Sequence, residues 1–360
     1  TLFRLSMKKM VFLFPVCVLI FLECRDSREL TAENPKAILG HYLFFEKRIS
    51  FNHSKSCASC HSPEYAFTDG YRKSVSADGN NLLHNAPSIL NIAQNHFFDW
   101  DNPEIHTLSQ QIKRPLYNKH PTELGMDLDS SSLLSFFKKD SLYSSLFERA
   151  YRGENEMYSA KHVEECIIEY VKNLNSRNSK FDQHLDSKAV RLNKSEEEGM
   201  RLFFSTELKC SQCHAPPDFT KSNTSNMVDS AYANIGLYNI ANENKYPAED
   251  VGLNKITKKL RDDGKFKIPS LRNVMLTAPY MHDGSVRNLD ELLNIYSAGG
   301  QSINKGPLSG DGRKHRNKHP HIKGFEISDS QKKNLICFLS SLTDTTYLSN
   351  PYFLNPFRNK

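Results

Sequence analysis

The sequence has no apolar run long enough to span a bilayer and no marked excess of either charge. The run at 10–22 (MVFLFPVCVLIFL) has 13 residues, whereas a spanning helix needs about 20. The 47 basic and 41 acidic residues leave a net charge of +6, which gives no indication of a nucleic-acid partner. With 38% hydrophobic and 24% charged residues, the composition excludes disordered, collagen-like and multi-span membrane proteins.

The short apolar run follows Lys8 and Lys9, a pattern typical of a secretory signal. We therefore expect residues 1–24 to be a leader and the mature protein to be periplasmic. Cys24 ends the run where a lipoprotein would carry its lipid anchor, but Glu23 fits that motif poorly. An ordinary cleavage site nearby is the alternative.

Of the eight cysteines, Cys17 and Cys24 lie in the predicted leader. Two of the other six differ from the rest in their surroundings. Cys166 and Cys337 lie in helical patterns whose apolar spacing predicts buried, inert thiols. The other four form two close pairs: Cys57 with Cys60, and Cys210 with Cys213.

Each pair belongs to a C-x-x-C-H motif, in SCASCH (56–61) and in KCSQCH (209–214). Two thiols three positions apart on a turn add to the two vinyl groups of one porphyrin, and the adjoining histidine reaches the iron from the same side. The motifs therefore predict two covalent c-type haems, with His61 and His214 as proximal ligands.

The surroundings of the two motifs also repeat. Gly-x-x-Leu-Phe-Phe precedes both, at 40–45 and 199–204, and Phe-Thr follows both, at 67–68 and 219–220. Periodic stretches predict helices at 131–150, 160–174, 195–204, 289–296 and 329–342. We expect a mainly α fold of two cytochrome-c-like domains with the haems facing an inter-domain region, joined by a polar linker at 175–193.

These strings resemble the bacterial di-haem cytochrome c peroxidases and their relatives of the MauG type, over about residues 40–343. In the first half the matching strings are HNAPSILN (84–91), FFDWD (97–101) and LSQQIKRPLYNKHPTELGM (108–126). In the second half the most specific is FKIPSLRNVMLTAPYMHDGSVRNLDELLNIYSAGG (266–300).

For the first haem, the resemblance implies anchors at Cys57 and Cys60 and an open iron face. Relatives that rest in an inactive state carry a distal histidine sixteen residues after the proximal one, and that position is Ala77 here. His84 is the nearest other candidate ligand, although a surface or hydrogen-bonding role is the simpler interpretation.

The resemblance places Gln111, Glu123 and Trp100 around the first haem. Glu123 is expected to move protons during peroxide cleavage, Gln111 to hold the peroxide, and Trp100 to relay electrons between the haems. An apparent insertion of Lys119 and His120 lengthens the spacing from Gln111 to Glu123. The alternatives are a helix-capping carboxylate at Glu123 and a core-filling ring at Trp100.

For the second haem, the position fourteen residues beyond His282 is occupied by methionine in standard peroxidases and by tyrosine in the MauG type. Here it is Tyr296, which is the implied sixth ligand. Met281 and a purely packing role for Tyr296 are the alternatives. The family also implies one Ca²⁺ between the domains, bound by Asn85 and by the carbonyls of Thr277 and Pro279.

The resulting hypothesis is a peroxidase that reduces H₂O₂ with electrons from a small periplasmic cytochrome c or cupredoxin. A MauG-like oxidase of a partner protein and a non-enzymatic electron carrier or redox sensor are the alternatives. The basic loop at 310–324 is either a solvated loop or a surface that attracts an acidic donor. We expect domains at 30–180 and 190–345, a tail at 346–360, no nucleic-acid partner, and either a monomer or a homodimer.

Overall fold

The computed structural model describes residues 34–187 and 190–358, so the predicted leader at 1–24 and Cys24 lie outside the described residues. The described chain is mainly helical, as predicted. Its α-helices are α1 (Pro35–Phe45), α2 (Leu108–Tyr117), α3 (Ser130–Lys139), α4 (Ser141–Tyr151), α5 (Ala160–Lys172), α6 (Lys180–Ser187), α7 (Lys194–Phe203), α8 (Cys210–Cys213), α9 (Val228–Ala231), α10 (Asn254–Thr257), α11 (Leu289–Ala298) and α12 (Asp329–Ser341).

Sheet structure in the described residues is limited to two antiparallel pairs of two-residue strands. They are β1 (Tyr232–Ala233) with β2 (Phe266–Lys267), and β3 (Ser302–Ile303) with β4 (Gly310–Asp311). Among the described helices, none is both long and apolar enough to cross a membrane.

The repeat in the sequence corresponds to a repeated helix crossing. At Gly40 in α1, an added Cβ would lie 1.9 Å from the carbonyl oxygen of Cys166 in α5. At Gly199 in α7, it would lie 1.9 Å from the carbonyl oxygen of Asn334 in α12. Only glycine lets the two backbones approach this closely, so each haem motif follows a helix that is packed tightly against a later one.

The predicted helix at 131–150 is two helices, because Asp140 begins a new one. Its side chain accepts hydrogen bonds from the backbone N–H groups of Leu142 and Tyr143, which is the usual action of an N-cap. The other predicted helices are confirmed, with ends that differ by one or two residues.

The segment at 175–193, predicted to be a polar linker, contains the helix α6, which the sequence analysis did not predict. Phe181 is buried in the second hydrophobic core, which includes Phe203 and Phe338. Asp182 accepts hydrogen bonds from both terminal nitrogens of Arg272 at 2.8 and 2.9 Å. This ring, the ion pair with Arg272 and a second ion pair between Lys180 and Glu196 at 2.6 Å hold the polar helix in place.

The segment at 346–358 packs back on the first hydrophobic core, which includes Phe44 and Tyr170. Tyr347 and Phe353 are buried there, and the Tyr347 hydroxyl donates to the carbonyl oxygen of Pro63 at 2.9 Å. Cys166 is fully buried, and burial raises the pKa of its thiol to about 12, in agreement with an inert role; Cys337 is only partly buried.

Candidate functional site

Each C-x-x-C-H motif forms one helical turn. The carbonyl oxygen of Cys57 accepts from the N–H of His61 at 3.0 Å, and that of Cys210 accepts from the N–H of His214 at 2.9 Å. The described cysteines are all free thiols. Two thiols and an imidazole are thus held on one turn, which is the arrangement that covalent attachment of a haem requires.

Both histidines are held in the form that binds iron. The Nδ1 of His61 donates to the carbonyl oxygen of Phe67 at 2.9 Å. The Nδ1 of His214 lies 3.2 Å from the carbonyl oxygen of Phe219. Burial lowers the pKa of both rings, that of His214 to about 4. A neutral ring that donates through Nδ1 leaves Nε2 free as a ligand.

The carbonyls that orient the two rings come from residues with an unusual backbone. Phe67 and Phe219 have φ values of 59° and 53°, a region that bulky residues seldom adopt. The same unfavourable φ occurs after both motifs. This indicates that backbone strain accompanies the orientation of the imidazole at each of them.

A first cavity is lined by Cys57, Cys60 and His61 together with Gln111 and Glu123. Within the described part of the chain, Gln111 Oε1 is buried and has no hydrogen-bond partner. An orphaned polar atom in a cavity with two thiols and a neutral imidazole fits a bound group, and these residues suit a covalent haem.

Glu123 is the acidic side chain that the sequence placed here. Its Oε1 accepts from the Nδ2 of Asn118 at 3.2 Å, and burial raises the pKa of its carboxyl above the ordinary value. His120, from the apparent insertion, also lines this cavity. A carboxyl with a raised pKa can both accept and return a proton near neutral pH.

Of the two positions considered for a distal histidine, Ala77 has no imidazole and His84 has its Nε2 paired with a carboxylate. Ala77 is buried, and its N–H donates to the carbonyl oxygen of Glu123 at 2.8 Å. His84 lines the cavity, but its Nε2 is 2.9 Å from Oδ1 of Asp250.

A second, mostly apolar cavity is lined by Cys210, Cys213 and His214. Tyr296, in the last turn of α11, lines the same cavity, as does Met281. Burial raises the pKa of the Tyr296 phenol, and the nearby thiols of Cys213 and Cys210 raise it further. This donor set also fits a covalent haem, with one oxygen and one sulfur available as a sixth ligand.

Trp100 lines both cavities. Its indole N–H donates to the carbonyl oxygen of Asn85 at 2.9 Å, and its own carbonyl accepts from the N–H of Lys267 at 2.9 Å. The Nζ of Lys267 lies 5.5 Å from the centre of the indole ring. Sequence analysis missed Lys267, although it belongs to the string at 266–300.

The three residues predicted to bind calcium, Asn85, Thr277 and Pro279, all line the second cavity. The Nδ2 of Asn85 donates to the carbonyl oxygen of Tyr71 at 2.8 Å. This hydrogen bond fixes the orientation of the amide, whose oxygen is a suitable ligand for a hard cation.

Comparisons with known proteins agree with this site. The family model described as di-haem cytochrome c peroxidase matches residues 34–190. The chain is 29% identical to the methylamine utilization protein MauG of Methylophilus methylotrophus over 319 residues, which cover 88% of this chain and 84% of that protein. It is 30% identical to the cytochrome c551 peroxidase of Nitrosomonas europaea over 265 residues, 73% of each chain.

A solved structure is similar over almost the whole length. It is a MauG-like protein associated with microbial copper homeostasis, with 36% identity, a TM-score of 0.87, and coverage of 90% of this chain and 93% of that one. Haem c is the cofactor that this family implies. The chain therefore belongs to the di-haem cytochrome c peroxidase family of oxidoreductases.

Proposed function

We propose that this protein is a periplasmic enzyme that carries one covalent haem c in each cavity and reduces hydrogen peroxide to water at the first. Cys57, Cys60 and His61 would hold the first haem, and Cys210, Cys213 and His214 the second. The observation that carries the proposal is the pairing of Glu123, whose pKa is raised by burial, with the orphaned Gln111 Oε1 in one cavity. An electron carrier has no need of either group.

When bound, the first haem supplies the iron that binds peroxide and passes electrons to it. Glu123 takes the proton from one peroxide oxygen and returns it to the other. The second oxygen then leaves as water when the O–O bond breaks. The Nε2–H of Gln111 donates to the peroxide without competing for its proton. The balance is H₂O₂ with two protons and two electrons giving two waters.

The electrons would come from a small cytochrome c or cupredoxin and enter at the second cavity, in the domain at 190–345. Trp100 lines both cavities and is the natural relay to the domain at 30–180. A Ca²⁺ ion held by Asn85, Thr277 and Pro279 would fix the distance between the two cavities.

Oxidation of a partner protein in the manner of MauG is the second candidate, and Tyr296 favours it. A phenolate ligand stabilises ferric iron more than a thioether does, so such a second haem is a poor store for incoming electrons. In this reaction peroxide takes two electrons and two protons from a side chain of the partner, again giving two waters. The similarity to two MauG-type proteins supports this candidate.

Steady-state peroxide consumption by the fully oxidised enzyme tests the main proposal, with reduced cytochrome c or a reduced cupredoxin as the donor. We expect turnover without prior half-reduction, because Ala77 supplies no ligand to block the first cavity. The Glu123→Gln variant is the control, because it should keep its haems but consume peroxide much more slowly, which separates enzymatic turnover from background oxidation of the donor. Peroxide that reacts in one round but is not turned over with either donor would favour oxidation of a partner protein instead.

A further inference from the structure

Two histidines and two aspartates meet beside Trp100, outside the haem and calcium ligands proposed above. The ligand atoms of His84, Asp101 and Asp250 all lie within 4.8 Å of one another. Asp101 and Asp250 are buried, with 2% and 5% of their surface exposed.

A fourth side chain, that of His282, adjoins the same cluster and indicates that a ligand binds there. His282 is 5% exposed, and its Nε2 lies 3.3 Å from Oδ2 of Asp250. Among the described residues this nitrogen is buried without a hydrogen-bond partner of acceptable geometry. Its ring is stacked on Phe266 at 3.5 Å and 8°, so it cannot turn easily towards another partner.

Hydrogen bonds of the backbone also help to place these residues. The N–H of Asn85, next to His84, donates to the carbonyl oxygen of His282 at 2.7 Å. The N–H of Asp101 donates to Oδ1 of Asp99 at 3.1 Å. These backbone contacts and the ion pair of His84 with Asp250 at 2.9 Å together hold the cluster in place.

We propose that His84, His282, Asp101 and Asp250 bind one divalent first-row transition-metal ion. Two neutral imidazoles and two carboxylates form a neutral complex with such an ion. Ligands of a tetrahedral ion with bonds of about 2.1 Å lie about 3.4 Å apart. The Nε2 of His84 lies 2.9 Å from Oδ1 of Asp250, and the Nε2 of His282 lies 3.3 Å from Oδ2 of the same carboxylate, so both imidazoles adjoin the Asp250 carboxylate at distances near that value.

The donor set separates this site from the predicted calcium site. Imidazole nitrogens suit Zn²⁺ or Cu²⁺, whereas Ca²⁺ prefers oxygen ligands. The competing cation is Lys255, whose Nζ is 3.5 Å from Oδ2 of Asp101. Its side chain is half exposed, so it can move into solvent when a metal ion enters.

Such an ion would act on the part of the chain between the cavities. Asp101 directly follows Trp100, and His84 directly precedes Asn85, whose carbonyl binds the Trp100 indole. An ion bound to both segments would fix the position of the ring.

Zinc binding to the holoprotein tests the site. The protein is treated with a chelator, saturated with Ca²⁺ and titrated with Zn²⁺ by calorimetry, and zinc per chain is measured after gel filtration. We expect one Zn²⁺ per chain and an affinity at least tenfold lower in Asp101→Asn and His84→Gln. The matched control is Asp129→Asn, because Asp129 forms the exposed pair with His53 at 3.7 Å, and this variant should bind zinc normally.

X-ray absorption at the zinc edge of the wild-type protein adds a readout that needs no variant. We expect two imidazoles and oxygen ligands at about 2.0–2.1 Å. Absence of bound zinc in the wild type would mean that the cluster is only an ion-pair network, and the proposal would be wrong. The same would follow if the affinity were unchanged in both Asp101→Asn and His84→Gln with normal haem spectra, or if only Asp129→Asn lost zinc.

Discussion

The indole N–H of Trp100 donates to the backbone carbonyl of Asn85 at 2.9 Å. The only tryptophan of the chain is therefore held by the residue whose side chain is predicted to bind calcium. The position of the Trp100 ring therefore depends on the backbone at Asn85, which would also move if a bound Ca²⁺ were removed.

Removal of calcium should slow electron transfer through Trp100. If the proposed ion fixes Asn85, its loss lets the carbonyl that holds the indole move. We expect at least a tenfold lower turnover after treatment with a calcium chelator, with recovery when Ca²⁺ is added back. Asn85→Ala should be slow at any Ca²⁺ concentration. Full activity of the chelated enzyme, with calcium shown to be absent, would contradict the calcium prediction.

Haem attachment should divide between the two motifs. Replacement of Cys57 and Cys60 by alanine removes the vinyl addition at the first motif only, and replacement of Cys210 and Cys213 does so at the second. We expect one covalent haem in each double variant and two in the wild type, measured by intact mass and a pyridine haemochrome assay. A single haem in the wild type would exclude the two-haem proposal.

Glu123→Gln should slow peroxide cleavage by roughly 10²–10⁴-fold with unchanged haem content. The pH profile adds a sharper test, because burial raises the pKa of this carboxyl. Only the deprotonated form accepts a proton, so the wild-type rate should fall as the pH drops through that raised pKa. This decrease should be absent from the residual rate of the variant in stopped-flow measurements. A variant with the wild-type rate would direct attention to His120.

Gly40→Ala and Gly199→Ala should each destabilise the protein by about 1–3 kcal/mol, the usual cost of overpacking. In both cases the new Cβ would lie 1.9 Å from a backbone carbonyl oxygen. Ser131→Ala at an exposed position of α3 is the control and should leave the thermal midpoint nearly unchanged. Two glycine variants as stable as the control would show that these helix crossings are looser than the structure indicates.

Sequence analysis could predict two sets of candidate haem ligands because each set lies on one turn of the chain. The motif brings Cys57, Cys60 and His61 together whatever the rest of the fold does. The positive φ of Phe67 and Phe219 was beyond prediction from residue type, since phenylalanine seldom adopts it. The repeated Phe-Thr dipeptide was the one signal that both positions matter.

Contacts between distant segments could not be predicted in the same way. His84 and Asp250 are 166 positions apart, and no local pattern connects them. Helix α6 was missed because its polar surface hides the single buried ring of Phe181. The return of Tyr347 and Phe353 to the first core was equally beyond prediction, because the aromatic residues of this short tail show no helical or strand periodicity.

Tyr296 is the residue that distinguishes the two candidate functions. It lines the second cavity together with Cys210, Cys213 and His214, and Met281 lines the same cavity. A phenolate and a thioether place the potential of a haem in different ranges, because the identity of the axial donor sets the preference for ferric over ferrous iron.

If the Tyr296 phenolate is the sixth ligand, Tyr296→Met should raise the reduction potential of the second haem, and Tyr296→Phe should abolish the phenolate contribution to its spectrum. Redox titration and near-infrared spectra of the ferric proteins measure both effects. Met281→Leu is the matched control and should leave the potential unchanged. A raised potential in Tyr296→Met should also increase turnover with reduced cytochrome c, because a thioether-ligated haem holds an incoming electron more readily. If both Tyr296 variants keep the wild-type potential and spectrum while Met281→Leu does not, the ligand is Met281, and peroxide reduction is favoured over oxidation of a partner protein.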